Sequence, residues 1–208
     1  MLIGVPKEIN TDEYRVGLTP ATVKELTARG HRVAIETMAG AGAGIADHEY
    51  IAAGAEIVTS ADQIFQRAEL VMKVKEPLAS ERKQLRRSQI IFTYLHLAPD
   101  PEQTRDLMAS GVTALAYETV TDAAGKLPLL APMSGVAGRM APHIAAHFLQ
   151  RPQGGRGILL GRIEGVPSAE VAVLGGGVVG THAAEMAIGM GANVTVTARS
   201  LETQRHLS

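Results

Sequence analysis

The ten residues from Val171 to Gly180, VAVLGGGVVG, constrain the fold of this chain more than any other stretch. Four apolar residues run into Gly175-x-Gly177-x-x-Gly180, an alternating THAAEMAIGMGA stretch follows, and a second β-branched run comes at 193–197. Strand, glycine turn, helix and strand in that order build a dinucleotide pyrophosphate site. Gly175 permits the tight turn, Gly177 lets a phosphate approach the backbone, and Gly180 lets the helix pack against the strand. The start of that helix aims unpaired N–H groups and a partial positive charge at the pyrophosphate. Three glycines at this spacing are a weak signal alone, and a glycine-rich turn without a ligand is the bland alternative. The flanking strand and helix are the context the motif requires.

Composition excludes several classes. With 46% apolar residues and a formal net charge of −1, the 208-residue chain is expected to be a globular protein with a sizeable core. Its densest basic patch, Arg82 to Arg87, reads as a solvated helix face, so neither nucleic acid nor a membrane surface is an expected partner. There is no cysteine, which removes disulfides and thiolate metal sites, and no His and carboxylate cluster has metal-ligand spacing. The amino terminus lacks the order of a signal peptide, and no apolar run approaches membrane-spanning length, so the cytoplasm is the expected compartment.

Along the chain, short β-branched runs alternate with helical stretches, the pattern of a parallel sheet with helices on both faces. Strands are expected at 2–5, 32–36, 56–58, 70–74, 90–95 and 112–116. The first helix is well punctuated, with Thr19 as N-cap, Pro20 at the first position, Val23 and Leu26 on the inner face and Gly30 as the stop. Further helices are expected at 47–53, 61–67, 80–86 and 101–110. The AGAGAG segment at 39–44 lacks the third fingerprint glycine and reads as a turn. After Glu118 two prolines and two glycines in TDAAGKLPLLAPMSG suggest a crossing between domains, followed by a helix at 136–150 with Ala137, Met140, Ile144 and Phe148 at helical spacing. Two units follow: an α/β domain over residues 1–130 and a nucleotide-binding domain from residue 131.

In open α/β sheets functional groups gather just past the carboxyl ends of the strands. Three cationic or titratable side chains occupy such places: Arg15 after the first strand, Lys75 after the fourth and His96 after the fifth. Neighbouring strands lie roughly 5 Å apart, so Lys75 and His96 reach one small substrate if their strands are adjacent. Each also has an ordinary reading: Arg15 paired with Asp12 or Glu13, Lys75 solvated beside Glu76, His96 as a helix cap or core residue. Taken with a nucleotide fold, the three supply a guanidinium for a carboxylate, an ammonium for a carbonyl and an imidazole for proton transfer. That set suits a dehydrogenase of a small 2-oxo or 2-amino acid.

The segments MLIGVPKEINTDEYRVGLTP, VMKVKEP, FTYLHLAPD, LPLLAPMSGVAGRM and VAVLGGGVVGTHAAEMA, in that order, resemble bacterial alanine dehydrogenases along the whole chain. The resemblance implies an α/β fold: a flavodoxin-like or Rossmann-like parallel-sheet substrate domain at 1–130, then the first half of a Rossmann dinucleotide-binding domain at 131–208. It implies NAD-linked, reversible oxidation of L-alanine to pyruvate and ammonia by a homo-oligomer, commonly a hexamer. By resemblance Arg15 would bind the substrate carboxylate, Lys75 the keto oxygen, and His96 would be acid and base, with Tyr94 lining the pocket. Met133 and Ser134 would lie at the domain cleft against the cofactor, and Gly175, Gly177, Val178, Val179 and Gly180 would wrap the pyrophosphate. Ser134 equally reads as a helix N-cap before Val136.

Some positions depart from the family. Ala198 stands where an aspartate usually binds the ribose 2′-hydroxyl, and Arg199 and Ser200 follow it. A carboxylate there would repel a 2′-phosphate and a guanidinium would attract one, so the cofactor is expected to be NAD or NADP. Gly135 replaces a usual glutamate, softening the helix start, and Arg162-Ile163-Glu164 replaces a Gly-Val-Pro type turn. Family members also continue past Ser208 through the rest of the nucleotide fold. The expectation is therefore either a fragment of a longer enzyme or a truncated homologue that needs a partner or self-association. The alternative function is a catalytically silent nucleotide-binding or assembly module. A transhydrogenase fragment is a third reading, disfavoured by Arg15, Lys75, Tyr94 and His96.

Overall fold

The computed structural model describes residues 1–207. The chain forms two compact units, the first Met1–Val120 and the second beginning at Thr121.

The first unit is one parallel six-stranded sheet: β1 (Leu2–Val5), β2 (Arg32–Glu36), β3 (Glu56–Val58), β4 (Leu70–Met72), β5 (Ile90–Thr93) and β6 (Thr113–Ala116). The spatial order is β3-β2-β1-β4-β5-β6, the Rossmann-like arrangement. Parallel neighbours need crossovers, supplied mainly by α1 (Pro20–Ala28), α2 (Asp47–Ala52), α3 (Ala61–Arg67), α4 (Ala79–Arg82) and α5 (Pro101–Ser110). Gly4 of β1 pairs with Ala34 on one side and Val71 on the other. A Cβ at Gly4 would lie 2.7 Å from the side chains of Ala68 and Ile64, so this glycine lets α3 close down over the central strand. Two buried clusters fill the unit, one around Val5, Ile35 and Tyr50, the other around Phe65, Val71 and Ile91. Each such side chain contributes roughly 1.5–3 kcal/mol of burial.

The chain runs outward from β1 through β2 to β3, then returns to the other side of β1 as β4. That reversal opens a crevice at the carboxyl ends of β1 and β4, where doubly wound sheets bind ligands. Thr19 caps α1 by accepting the Thr22 N–H, and Asp100 caps α5 by accepting that of Gln103. The AGAGAG segment is a single 3₁₀ turn, Ala41–Ala43.

Two strands end earlier than the sequence suggests. β4 stops at Met72 rather than residue 74, because the Val74 N–H is taken by the Glu8 carboxylate at 2.6 Å. β5 stops at Thr93 rather than residue 95, because the Leu95 and His96 N–H groups go to Glu118. α4 likewise ends at Arg82, not residue 86.

The second unit contains α6 (Ala131–Phe148), β7 (Glu170–Leu174), α7 (Val178–Gly189), β8 (Asn193–Thr197) and α8 (Leu201–Leu207). β7 and β8 pair in parallel, from Glu170 opposite Asn193 to Leu174 opposite Thr197. α6 begins five residues before the expected Val136, since Pro132 falls in its first turn, where proline costs no hydrogen bond. Ser134 is therefore inside the helix and is not its N-cap, and Gly135 lies beyond its start. Of the residues at helical spacing in α6, Met140, Ile144 and Phe148 are exposed, and the buried residues are Gly138 and Pro142. A Cβ at Gly138 would lie 2.4 Å from the Val179 carbonyl, so it is small size, not apolar bulk, that brings α6 onto α7. Among the described residues no helix is long and apolar enough to cross a membrane.

Candidate functional site

In the first unit the polar groups collect at the chain reversal. β4 and β5 are direct neighbours, so the residues that follow them, Lys75 and His96, stand side by side. Glu76 links them: its Oε2 lies 4.0 Å from Lys75 Nζ and 3.3 Å from His96 Nδ1. Tyr94 stacks on the His96 ring with centroids 5.9 Å apart, and Tyr117 meets Tyr94 edge-on at 5.1 Å. The Arg15 loop is brought in by Gly17, where a Cβ would lie 2.8 Å from the Met72 carbonyl at the end of β4. Thr93 Oγ1 donates to the Lys75 carbonyl at 2.7 Å, fixing the two strand ends to each other.

Arg15 takes the ordinary pairing in part: its Nε donates to Glu13 Oε1 at 2.8 Å. That bond holds the Glu13 carboxyl below its usual range and raises Arg15 above its own. A second guanidinium nitrogen donates to Glu13 Oε2, and the Arg15 side chain is half-exposed whereas Glu13 is covered. Arg15 also lies close enough to Tyr94 for each to influence the other's charge. Burial raises the Tyr94 hydroxyl, which stays protonated at neutral pH and can donate a hydrogen bond. His96 is neither a helix cap nor a core residue; its side chain is half-exposed.

Three supporting residues were not singled out in the sequence. Glu8 lies just past β1 and bonds Lys73 Nζ at 3.1 Å; Lys73, fully buried, is also 2.8 Å from Glu81. Burial pushes the Glu8 carboxyl up despite that partner. Glu118, just past β6, accepts the backbone N–H groups of Leu95 and His96. Gln103, buried on α5, donates to the Leu95 carbonyl. The strand-end rule that picks out Lys75 and His96 applies to Glu8 and Glu118 as well, once acids are considered with bases.

In the second unit the fingerprint forms an open groove. Gly175 has φ +107°, a conformation that disfavours any side chain. A Cβ at Gly180 would lie 1.8 Å from the Gly175 carbonyl, whereas one at Gly177 would meet nothing within 4 Å. Gly180 thus closes helix on strand, and Gly177 leaves free space at the helix start. α7 has Gly177 as N-cap and no side chain capping it, so its first N–H groups face that space. Ser134, Val178, Val179 and Gly180 line this side in a cavity of about 450 Å³. Met133, on the same turn of α6, is partly exposed. A second cavity of about 570 Å³ extends from Gly175 and Gly177 to Ala198, Arg199, Ser200 and Thr203. Open space at Gly177, enforced glycines at 175 and 180 and an uncapped helix start fit a dinucleotide pyrophosphate.

Comparison with known proteins agrees along the chain. A family model described as "Alanine dehydrogenase/PNT, N-terminal domain" matches residues 4–137, and its C-terminal counterpart matches 141–208. An alanine dehydrogenase of Mycolicibacterium smegmatis is 53% identical over 207 residues, covering 100% of this chain and 56% of that protein. One of Bacillus subtilis is 53% identical, with 100% and 54% covered. A solved L-alanine dehydrogenase superposes at TM-score 0.92 and 53% identity, covering 100% of this chain and 57% of that one. A transhydrogenase from Sinorhizobium meliloti superposes at 0.84 with 26% identity, covering 100% and 61%. The chain spans about half the length of the curated relatives it matches.

Proposed function

Because this chain belongs to the alanine dehydrogenase/PNT family, we propose that it supplies the substrate unit and the leading part of the cofactor unit of an L-alanine dehydrogenase. The reaction is reversible oxidation of L-alanine to pyruvate and ammonia, with NAD or NADP as the nicotinamide cofactor. A homo-oligomer in the cytoplasm, a hexamer by the sequence resemblance, completes this reading. The observation that carries it is the meeting of Lys75 and His96 on the single carboxylate of Glu76, at the sheet reversal beside Arg15 and Tyr94.

In the deaminating direction the half-exposed Arg15 binds the substrate carboxylate. A nicotinamide cofactor held by Ser134 and the fingerprint backbone would supply the hydride acceptor for oxidation at the substrate Cα, leaving an imine. His96 takes a proton from water as its oxygen adds to the resulting imine carbon. It returns that proton to the nitrogen, and as the C–N bond breaks to release ammonia the now neutral His96 takes the hydroxyl proton, forming the keto group. Lys75 donates a hydrogen bond to the oxygen that becomes the keto group and stabilises charge developing there. Tyr94 stacks on His96 and limits rotation of the imidazole. In the second unit Ser134 and the backbone of Gly175, Gly177, Val178, Val179 and Gly180 hold the cofactor, with Met133 beside them.

The test is ammonia-dependent oxidation of reduced cofactor by pyruvate with the purified chain, wild type against His96→Ala. The expected loss in the variant is on the order of 10²–10⁴-fold. Retained activity in the variant removes His96 from the mechanism, and a wild-type chain without pyruvate-dependent turnover overturns the assignment of that activity to this chain.

A further inference from the structure

The second strand of a dinucleotide fold ordinarily ends in a carboxylate that binds the adenosine ribose 2′-hydroxyl. Here β8 ends at Thr197, and the next residue, Ala198, brings no polar side chain to the groove it lines. Arg199 is the single ionisable side chain among the described residues lining that groove. It is exposed, and it makes no ion pair among the described residues. Beside it, Ser200 Oγ and Thr203 Oγ1 lie 2.7 Å apart, both lining the groove, with the Thr203 N–H donating to Ser200 Oγ at 3.1 Å. Across the groove, the Gly175 N–H donates to the Thr197 carbonyl at 2.9 Å. That bond ties the phosphate turn to the end of β8 and fixes the distance between the two walls.

A guanidinium and a hydroxyl pair that keeps one O–H free are donors matched to a phosphate monoester, whose oxygens accept several charge-assisted hydrogen bonds at once. A 2′-hydroxyl offers no charge for Arg199 to meet, and the Ala198 side chain offers the hydroxyl no acceptor. We infer that Ala198, Arg199, Ser200 and Thr203 form a subsite for a ribose 2′-phosphate, so that this groove selects the 2′-phosphorylated cofactor, NADP. The inference rests on the reading of the groove as a dinucleotide site. It deepens that reading by assigning the choice between two cofactors to one wall.

The test uses binding, not turnover. The ¹⁵N-labelled 208-residue chain is titrated with 5′-AMP and with 2′,5′-ADP, following the amide signals of Gly175, Gly177, Ala198 and Arg199. Charge-assisted bonds of this kind predict that 2′,5′-ADP binds tighter by about tenfold or more. Arg199→Ala, at an exposed site, is expected to remove that preference, and Ala198→Asp to reverse it in favour of 5′-AMP. Equal affinity of the wild type for the two nucleotides, or a preference for 5′-AMP, overturns the 2′-phosphate subsite and leaves the nucleotide groove standing. If neither nucleotide moves these amides, the groove reading and the subsite fall together.

Discussion

Glu118 Oε1 accepts the backbone N–H of His96 at 2.7 Å, and His96 at φ +45° occupies the left-handed region that side chains other than glycine seldom adopt. The same carboxylate takes the Leu95 N–H, while Gln103 grips the Leu95 carbonyl from inside the first unit. The turn that offers the His96 imidazole to Glu76 is thus held from both sides in a conformation that costs free energy.

Left-handed backbone favours glycine over alanine by roughly 1 kcal/mol. His96→Gly is therefore expected to be more stable than His96→Ala by about that amount in chemical denaturation, although both remove the imidazole. Equal stability of the two variants would show that the turn carries no strain.

Glu118→Ala leaves the Leu95 and His96 N–H groups without their acceptor, at a cost of about 1–3 kcal/mol. Glu118→Gln keeps one carbonyl oxygen and is expected to recover most of that stability. Amide exchange at Leu95 and His96, accelerated in the alanine variant and near wild type in the glutamine variant, checks the assignment.

Acid dependence follows from the same carboxylate. Burial pushes the Glu118 carboxyl up, but the N–H groups of His96, Glu118 itself and Leu95 outweigh it, so it lies below the ordinary 4.5. Its stabilisation is complete above 4.5 and is lost as pH falls through the lower folded value. Glu8 has the opposite sign: burial raises its carboxyl, so its contribution is full below 4.5 and declines as pH rises through the folded value. Urea midpoints measured from about pH 3 to about pH 6 should show Glu118→Gln flattening the acid limb and Glu8→Gln removing a decline on the higher side.

Lys73 stands between Glu8 and Glu81 with no exposed surface. Removing one member of a buried ion cluster leaves the others uncompensated, so Lys73→Met is expected to cost about 3–5 kcal/mol. Converting Glu8 and Glu81 to glutamine in the same chain should restore much of the loss. A Lys73→Met midpoint equal to wild type would mean that the carboxylates find other partners.

How much of this was legible in the sequence depends on where each backbone group finds its partner. β1, β2, β3 and α5 have the bounds that alternation and caps indicate, because their partners are the ladder itself or a cap three residues away. The ends of β4 and β5 were not legible, since side chains 66 and 22 residues distant, Glu8 and Glu118, take the N–H groups that would extend the ladder. The start of α6 was hidden by Pro132, which reads as a breaker but suits a first turn. Lys75 and His96 follow from a rule about strand ends; Glu76, the group that joins them, enters the sequence reading only as the neighbour of a solvated Lys75.

Gly180→Ala sets a Cβ against the Gly175 carbonyl, which cannot move without opening the turn. The expected cost is about 3 kcal/mol, at the upper end for overpacking. Hydrogen exchange should rise across β7 and α7 while the first unit keeps its protection, and unchanged protection in β7 would show that the turn can widen freely.

The pairing of Arg15 with Glu13 sets the terms on which the first unit meets any acid. Glu13 is a tethered rival, present at an effective concentration no free metabolite reaches. On the proposed reading an incoming carboxylate would share or displace it, and would gain the difference between two ion pairs instead of the whole of one. A site built so would release its acid readily and would respond to the supply of that acid over a high concentration range.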